Sequence, residues 1–187
     1  MATNIEIKAR VMDLEDLRRR VEAVAGPPAA LLNQEDVFFP SPKGRLKLRT
    51  EATDNGQLIY YERADTAGPK ASYYLLARTP DPGALRDVLA AAWGISGIVR
   101  KRRWLYWVGQ TRVHLDAVEG LGSFMELEVV LRSGQSEAEG QAIAAELMDR
   151  LGIEQAALLD GAYLDLLSGG GGSPGGQDDR LHGEAAD

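Results

Sequence analysis

Charged residues in this chain fall on alternate positions, and they are sorted by sign. Asn4-Ile5-Glu6-Ile7-Lys8-Ala9-Arg10 puts Glu6, Lys8 and Arg10 on one side of an extended backbone, with Ile5, Ile7 and Ala9 on the other. Arg45-Leu46-Lys47-Leu48-Arg49 repeats the pattern, as do the run around Lys101 and Arg103, Arg112-Val113-His114-Leu115-Asp116 and Phe124-Met125-Glu126-Leu127-Glu128. A period of two is the signature of a β-strand. A solvated strand face normally mixes Thr, Ser, Gln and scattered charge. Here cations dominate some strands and carboxylates dominate others. If the strands curl so that these faces meet, a basic pocket with acids inside it results, which suits a polyanion chelated to a divalent metal.

The carboxylates able to converge are Glu6, Asp116, Glu126 and Glu128. Glu126 and Glu128 are two apart and share a face; Asp116 sits on the hairpin partner of their strand. Mg²⁺ or Mn²⁺ takes oxygen ligands and keeps several waters, so two or three carboxylates plus phosphate oxygens would complete its shell. Without a metal, crowded acids would repel one another and resist ionisation. The plainer reading is that each acid faces water or pairs with a neighbouring Arg. His114 alone reads more simply as a structural residue.

The cations on alternating positions are Lys8, Arg45, Lys47, Arg49, Arg63, Lys101 and Arg103. Arg grips phosphate through a planar fork and Lys acts as a point charge. Within Arg100-Lys101-Arg102-Arg103 only half can face inward. Lys101 and Arg103 are placed inward, leaving Arg100 and Arg102 on the face of Trp104 and Tyr106, under helices. The competing reading of this basic run is a nucleic-acid or membrane patch. It is too short for stable membrane anchoring and too narrow for a single-strand groove. Tyr60, Tyr61, Tyr73 and Tyr74 read as packing residues before base-stacking ones.

The elements that must position these residues follow from periodicity and turn signals. Strands are expected at 4–11, 30–39, 45–52, 57–63, 71–78, 98–108, 112–117 and 124–131. Asp13 caps a helix running to Ala25 and ended by Gly26-Pro27-Pro28. Further helices are expected at 82–93, at 136–151 with Ser136 and Glu139 as a capping box, and at 154–167. Thr53-Asp54-Asn55-Gly56 is a hairpin signal. Many hairpin-linked strands with few helices make an α+β domain. The sheet either buries its apolar face on one side only, or closes into a barrel with a polar lumen and helices outside.

The chain has 187 residues and no cysteine, which sets one domain and excludes disulfides and Cys-based zinc sites. Met1 to Arg10 lacks the apolar core of a signal peptide, and no apolar run approaches the ~20 residues that span a bilayer. A cytoplasmic location is the expectation. The net charge is −7. The tail's four acids and one Arg supply −3 of it, leaving −4 for residues 1–168. That balance argues against nucleic acid as a partner and for a small anionic ligand. Residues 168–187 are Gly-rich and acidic and are expected to be disordered, outside a domain of residues 1–167. No Walker loop, G-x-S-x-G, zinc-spaced His pair or G-x-G-x-x-G is present.

Asn4-Ile5-Glu6-Ile7-Lys8 resembles the ExExK signature of the CYTH superfamily, the triphosphate tunnel metalloenzymes. The cationic strand 45–49, Lys101-Arg102-Arg103, His114-Leu115-Asp116 and Leu121 to Glu128 follow in that family's order, so the resemblance covers about residues 3–167. The pattern is most similar to class IV adenylate cyclases. The resemblance implies an eight-stranded antiparallel closed β-barrel forming a tunnel. It also implies a Mg²⁺ or Mn²⁺ cofactor and a small-molecule triphosphate as partner: ATP, inorganic triphosphate or thiamine triphosphate. Glu6, Asp116, Glu126 and Glu128 would hold metal. Lys8, Lys47, Arg49, Lys101 and Arg103 would hold phosphates, a set to which the alternation of cations adds Arg45 and Arg63, and Glu126, Glu128 and Lys8 are expected to serve the chemistry. The implied activity is ATP cyclisation with release of pyrophosphate, with triphosphate hydrolysis or non-catalytic triphosphate binding as alternatives. No nucleic acid and no membrane is expected as a partner, and a homodimer is compatible with the sequence. Two departures stand out: Asn4 replaces the first signature Glu, and the fourth strand carries Arg63, with Lys70 in the next loop, where the family usually has Lys.

Overall fold

The computed structural model describes residues 2–51, 55–66 and 68–169. Eight antiparallel strands close into one barrel. They are β1 (Ala2–Val11), β2 (Ala30–Phe39), β3 (Arg45–Glu51), β4 (Gly56–Arg63), β5 (Lys70–Thr79), β6 (Gly97–Val108), β7 (Thr111–Val118) and β8 (Gly122–Val130). Round the barrel the order is β1-β5-β4-β3-β2-β6-β7-β8. The expected α+β barrel is therefore the observed architecture, and closure leaves no free sheet edge. The hairpin residues Thr53 and Asp54 and the tail from residue 170 lie outside the described residues.

The alternation decides which face is which. Ile5, Ile7 and Ala9 of β1 and Val113, Leu115, Met125, Leu127 and Val129 of β7 and β8 point outward into the main core. Helices α1 (Leu14–Ala25) and α3 (Glu137–Leu151) cover that face, burying Leu17, Val21, Ala144, Leu147, Met148 and Leu151. Each fully buried aliphatic side chain contributes roughly 1.5–3 kcal/mol. The caps are those expected: the Asp13 carboxylate accepts from the Asp16 N–H, and Ser136 and Glu139 form a capping box. Helix α2 (Pro82–Trp93) covers a smaller cluster of Val37, Phe39, Leu48 and Leu89. Tyr106 is fully buried on the outer face with its hydroxyl donating to Glu22, and Arg102 stacks on Trp104, as the face assignment for 100–106 requires.

The closing segment departs from the expected helix at 154–167. A 3-10 turn at Gln155–Ala157 gives way to extended backbone, and α4 spans Tyr163–Gly169. The reason lies in β1: the Leu159 N–H donates to the Lys8 carbonyl at 2.9 Å, and Leu158 bridges to Ala9. That pairing holds the chain extended and turns it across one end of the barrel. There Tyr163 packs with Phe38, Val99 and Phe124 and stoppers the lumen.

Candidate active site

The inward faces of the strands build a cavity of about 200 Å³. Seven cationic side chains and four carboxylates line it, so it carries excess positive charge. Lys8, Lys47, Arg49, Arg63, Lys101, Arg103, Glu6, Glu126 and Glu128 all face it, nine of the residues singled out from alternation. Arg45 and Asp116 do not line it. Arg45 pairs with Asp65 and Asp165 near the stoppered end, at 2.9 and 2.8 Å. Lys70, the other candidate on the fourth-strand side, donates instead to the Thr66 and Leu159 carbonyls.

One cationic group is assembled by a residue that alternation did not single out. Asp36 on β2 is 2% exposed and faces inward between β3 and β6. Its carboxylate takes the Arg49 fork at 2.7 and 2.8 Å, Lys47 at 2.9 Å and Lys101 at 2.8 Å. Burial by itself would push this carboxyl up; the charges of Arg49, Lys101 and Lys47 outweigh it and hold Asp36 well below the ordinary carboxylate range. Burial and the neighbouring Arg49 bring Lys47 down to about 7, against the pull of Asp36.

A second group joins β1, β6, β7 and β8. Arg103 forks onto Asp116 at 2.6 and 2.5 Å and reaches Glu126 at 2.5 Å. Lys8, which the β1–β8 register sets opposite Glu126, meets it at 3.2 Å. The Tyr163 hydroxyl donates to Asp116 at 2.9 Å, and its ring lies 3.9 Å from the Lys8 ammonium. Asp116 is fully buried with its oxygens committed to Arg103 and Tyr163, so it stands behind the cavity wall and orients Arg103. Glu128 pairs with Arg112 at 2.8 Å and lies 3.3 Å from His114; Arg63 holds Glu6 at 2.8 Å. Burial opposes ionisation of Glu126 and Glu128. Lys8 and Arg103 around Glu126, and His114 and Arg112 around Glu128, overcome it and hold both below the usual range. Both are anionic at neutral pH.

The donor set fits a hard divalent ion that arrives with phosphate. Glu6 and Glu128 are register partners, and Glu126 is two residues along the same face. Among the described residues no three His, Asp or Glu side chains form a ready-made metal cage. That suits Mg²⁺, which is usually held by one or two carboxylates plus substrate phosphates. Asn4 is not free to join them: with its amide oriented to suit its neighbours, the oxygen accepts from Arg112 at 3.0 Å and the nitrogen donates to the Thr3 carbonyl at 3.2 Å.

Asp36, Arg112 and Tyr163 are the site residues that sequence reasoning left out. Asp36 shares a parity with Gln34 and Phe38, a signal present in the sequence but masked by the apolar run that follows. Arg112 lay on a recognised charged face, without a role. Tyr163 had no signal, because its place depends on the extended segment before it.

Comparison with known proteins agrees with this geometry. The model of the CYTH domain family matches residues 2–163. The PH1012 protein of Pyrococcus horikoshii OT3 is 30% identical, with 87% of this chain and 98% of that one covered and a TM-score of 0.78. An adenylate cyclase candidate from Vibrio parahaemolyticus shares the fold at 18% identity, with 88% and 97% covered and a TM-score of 0.73. So does a candidate adenylyl cyclase from Hippeastrum, described as having a dominant triphosphatase activity, at 17% identity, with 91% and 98% covered and a TM-score of 0.63. No curated protein sequence matches. A closed eight-stranded barrel with sorted charge in its lumen, matched by the family model over nearly its whole described length, makes this chain a member of the CYTH domain family.

Proposed function

We propose that this protein is a metal-dependent enzyme that binds a triphosphate in the barrel and breaks one of its phosphorus–oxygen bonds. The observation that carries the reading is the convergence of seven cations on one small cavity, three of whose four acids gather on the β1–β8 side. Phosphoryl chemistry of this kind needs positioning and charge neutralisation more than covalent help from the protein. Lys47, Arg49 and Lys101, fixed by Asp36, present one bank of donors to the phosphate chain. Arg103 and Lys8 present another beside Glu126. Glu6, Glu126 and Glu128 would hold Mg²⁺ or Mn²⁺, which when bound neutralises phosphate charge and polarises the bond to be broken. Glu126 or Glu128, ionised and at the cavity surface, accepts the proton of the attacking oxygen.

In the cyclase form of this reaction, which the sequence resemblance favours, the ribose 3′-oxygen attacks the α-phosphorus and pyrophosphate leaves. In the hydrolase form, water attacks the terminal phosphorus; the triphosphatase activity described for the Hippeastrum protein favours it. Incubation with ATP, inorganic triphosphate and thiamine triphosphate, with Mg²⁺ or Mn²⁺, separates them. Cyclic AMP with pyrophosphate identifies the cyclase, and orthophosphate the hydrolase. Metal-enhanced binding without product identifies a binding module. No turnover and no binding of any of the three rejects the proposal.

A further inference from the structure

The cations do not surround the lumen. On the wall formed by β4 and β5, the cavity-lining side chains beyond Arg63 are uncharged, and the next cation on that face is the exposed Arg78 at the rim. The β4–β5 register sets Tyr61 opposite Tyr74, Ile59 opposite Leu76 and Gln57 opposite Arg78, three successive rungs leading away from the stoppered end. All but Arg78 of these line the cavity. Ile59 is 9% exposed, whereas Leu76, its partner one strand over, is 45% exposed, an apolar side chain left open at the mouth of a charged tunnel. Across the other edge of β4, Ile59 adjoins Lys47 and Gln57 adjoins Arg49, so the wall begins beside the phosphate-binding cations.

A bare polyanion gains nothing from such a wall. Apolar atoms beside phosphate displace water without replacing its hydrogen bonds. Size points the same way: about 200 Å³ lies below the ~300–1,000 Å³ of pockets that enclose drug-sized ligands. A phosphate chain in the charged part of the cavity leaves any organic group at the mouth, where Leu76 stands. Gln57 makes no side-chain hydrogen bond among the described residues, and an amide offers both donors and an acceptor.

Resting on the triphosphate reading above, we infer that the β4–β5 wall is a subsite for the organic group of a triphosphate ester. A flat heteroaromatic ring such as a nucleobase packs on Ile59, Tyr74 and Leu76, and the Gln57 amide hydrogen-bonds to its edge. The wall thereby sets the substrate class as esterified rather than inorganic triphosphate.

Calorimetric titration of the full chain with ATP and with inorganic triphosphate, both with Mg²⁺, tests this; thiamine triphosphate serves as a second ring. The wild type is expected to bind at least one of the two esters more tightly than inorganic triphosphate. Leu76→Ser, at a half-exposed position that folding tolerates, is expected to lower the ratio of ester to inorganic affinity by about tenfold, the low end of what a small apolar contact discriminates. Gln57→Ala should lower the same ratio. Inorganic triphosphate binding as tightly as both esters, or a ratio unmoved in both variants, overturns the subsite while leaving the triphosphate reading in place. Failure to bind all three ligands overturns both.

Discussion

Lys101 Nζ donates to Asp36 Oδ2 at 2.8 Å, with the two side chains 1% and 2% exposed. The same carboxylate also holds Lys47 and Arg49. One buried acid therefore sets three of the cavity's cations in place before any ligand enters. Removing it leaves buried cations uncompensated, whereas the intact cluster contributes modestly relative to an apolar replacement. Asp36→Asn is expected to destabilise the fold by about 3–5 kcal/mol. Added inorganic triphosphate should recover more stability in the variant than in the wild type, because the ligand supplies the missing negative charge. Urea unfolding with and without triphosphate measures both effects; equal ligand stabilisation in the two proteins would contradict the role given to Asp36.

Lys47 gives the site a pH dependence of known sign. Its ordinary value of 10.5 is brought down to about 7 in the fold. Between those values the unfolded chain keeps a proton that the folded chain has lost, so stability rises as pH climbs from about 7 toward 10.5. Triphosphate binding runs the other way, because phosphate favours the charged ammonium. Affinity should fall above about pH 7, by at most about tenfold per unit, with proton uptake on binding. Lys47→Arg should flatten that slope. Calorimetry in buffers of different ionisation enthalpy reads the proton count directly, and zero uptake at pH 8 would refute the assignment.

Glu126 touches both Lys8 and Arg103. Glu126→Gln keeps the shape and removes the charge and the proton acceptor. Turnover should fall about 10²–10⁴-fold, the usual contribution of a positioned acid or base. The Mg²⁺ concentration that gives half-maximal turnover should rise, since Glu126 is one of the three carboxylates proposed to hold the ion. Steady-state kinetics with far-UV circular dichroism as a folding control checks this; a kcat within threefold of wild type would remove Glu126 from the chemistry.

Gly140 lies in α3 where the helix meets the barrel. In most helix interiors Gly→Ala stabilises by roughly 1 kcal/mol. Here a Cβ would sit 2.5 Å from Leu131 Cδ2 and 2.6 Å from Ile5 Cγ1. The crowding outweighs the propensity gain, so Gly140→Ala should destabilise by about 1–3 kcal/mol. A rise in thermal midpoint would show that α3 can lift away from β1.

The strands, their facing and the caps were legible in the sequence because each depends on local chemistry. A period of two puts Glu6 and Lys8 on the side opposite Ile5 and Ile7, whatever the rest of the chain does. Asp13 and Ser136 accept from backbone N–H groups three residues on, so their helices announce themselves. Sorted charge opposite the apolar residues left two options, a one-sided sheet or a barrel with a polar lumen, and the family resemblance pointed to the barrel.

Closure decided which charge meets which. Lys101 reaches Asp36 across 65 positions of sequence, and Tyr163 reaches Asp116 across 47. No spacing along the chain encodes such pairs; they follow from strand order and register. That is why Asp116, on a strand face equivalent to that of Glu126, ends behind the wall with its oxygens taken, while Asp36 ends at the centre of the cavity-facing cations Lys47, Arg49 and Lys101. The same non-local pairing kept Leu158 and Leu159 extended along β1 in place of the helix their composition suggested. Alternation set the inventory of the tunnel, and the register of one closed sheet set its wiring, because side-chain facing is a property of one strand and contact is a property of two.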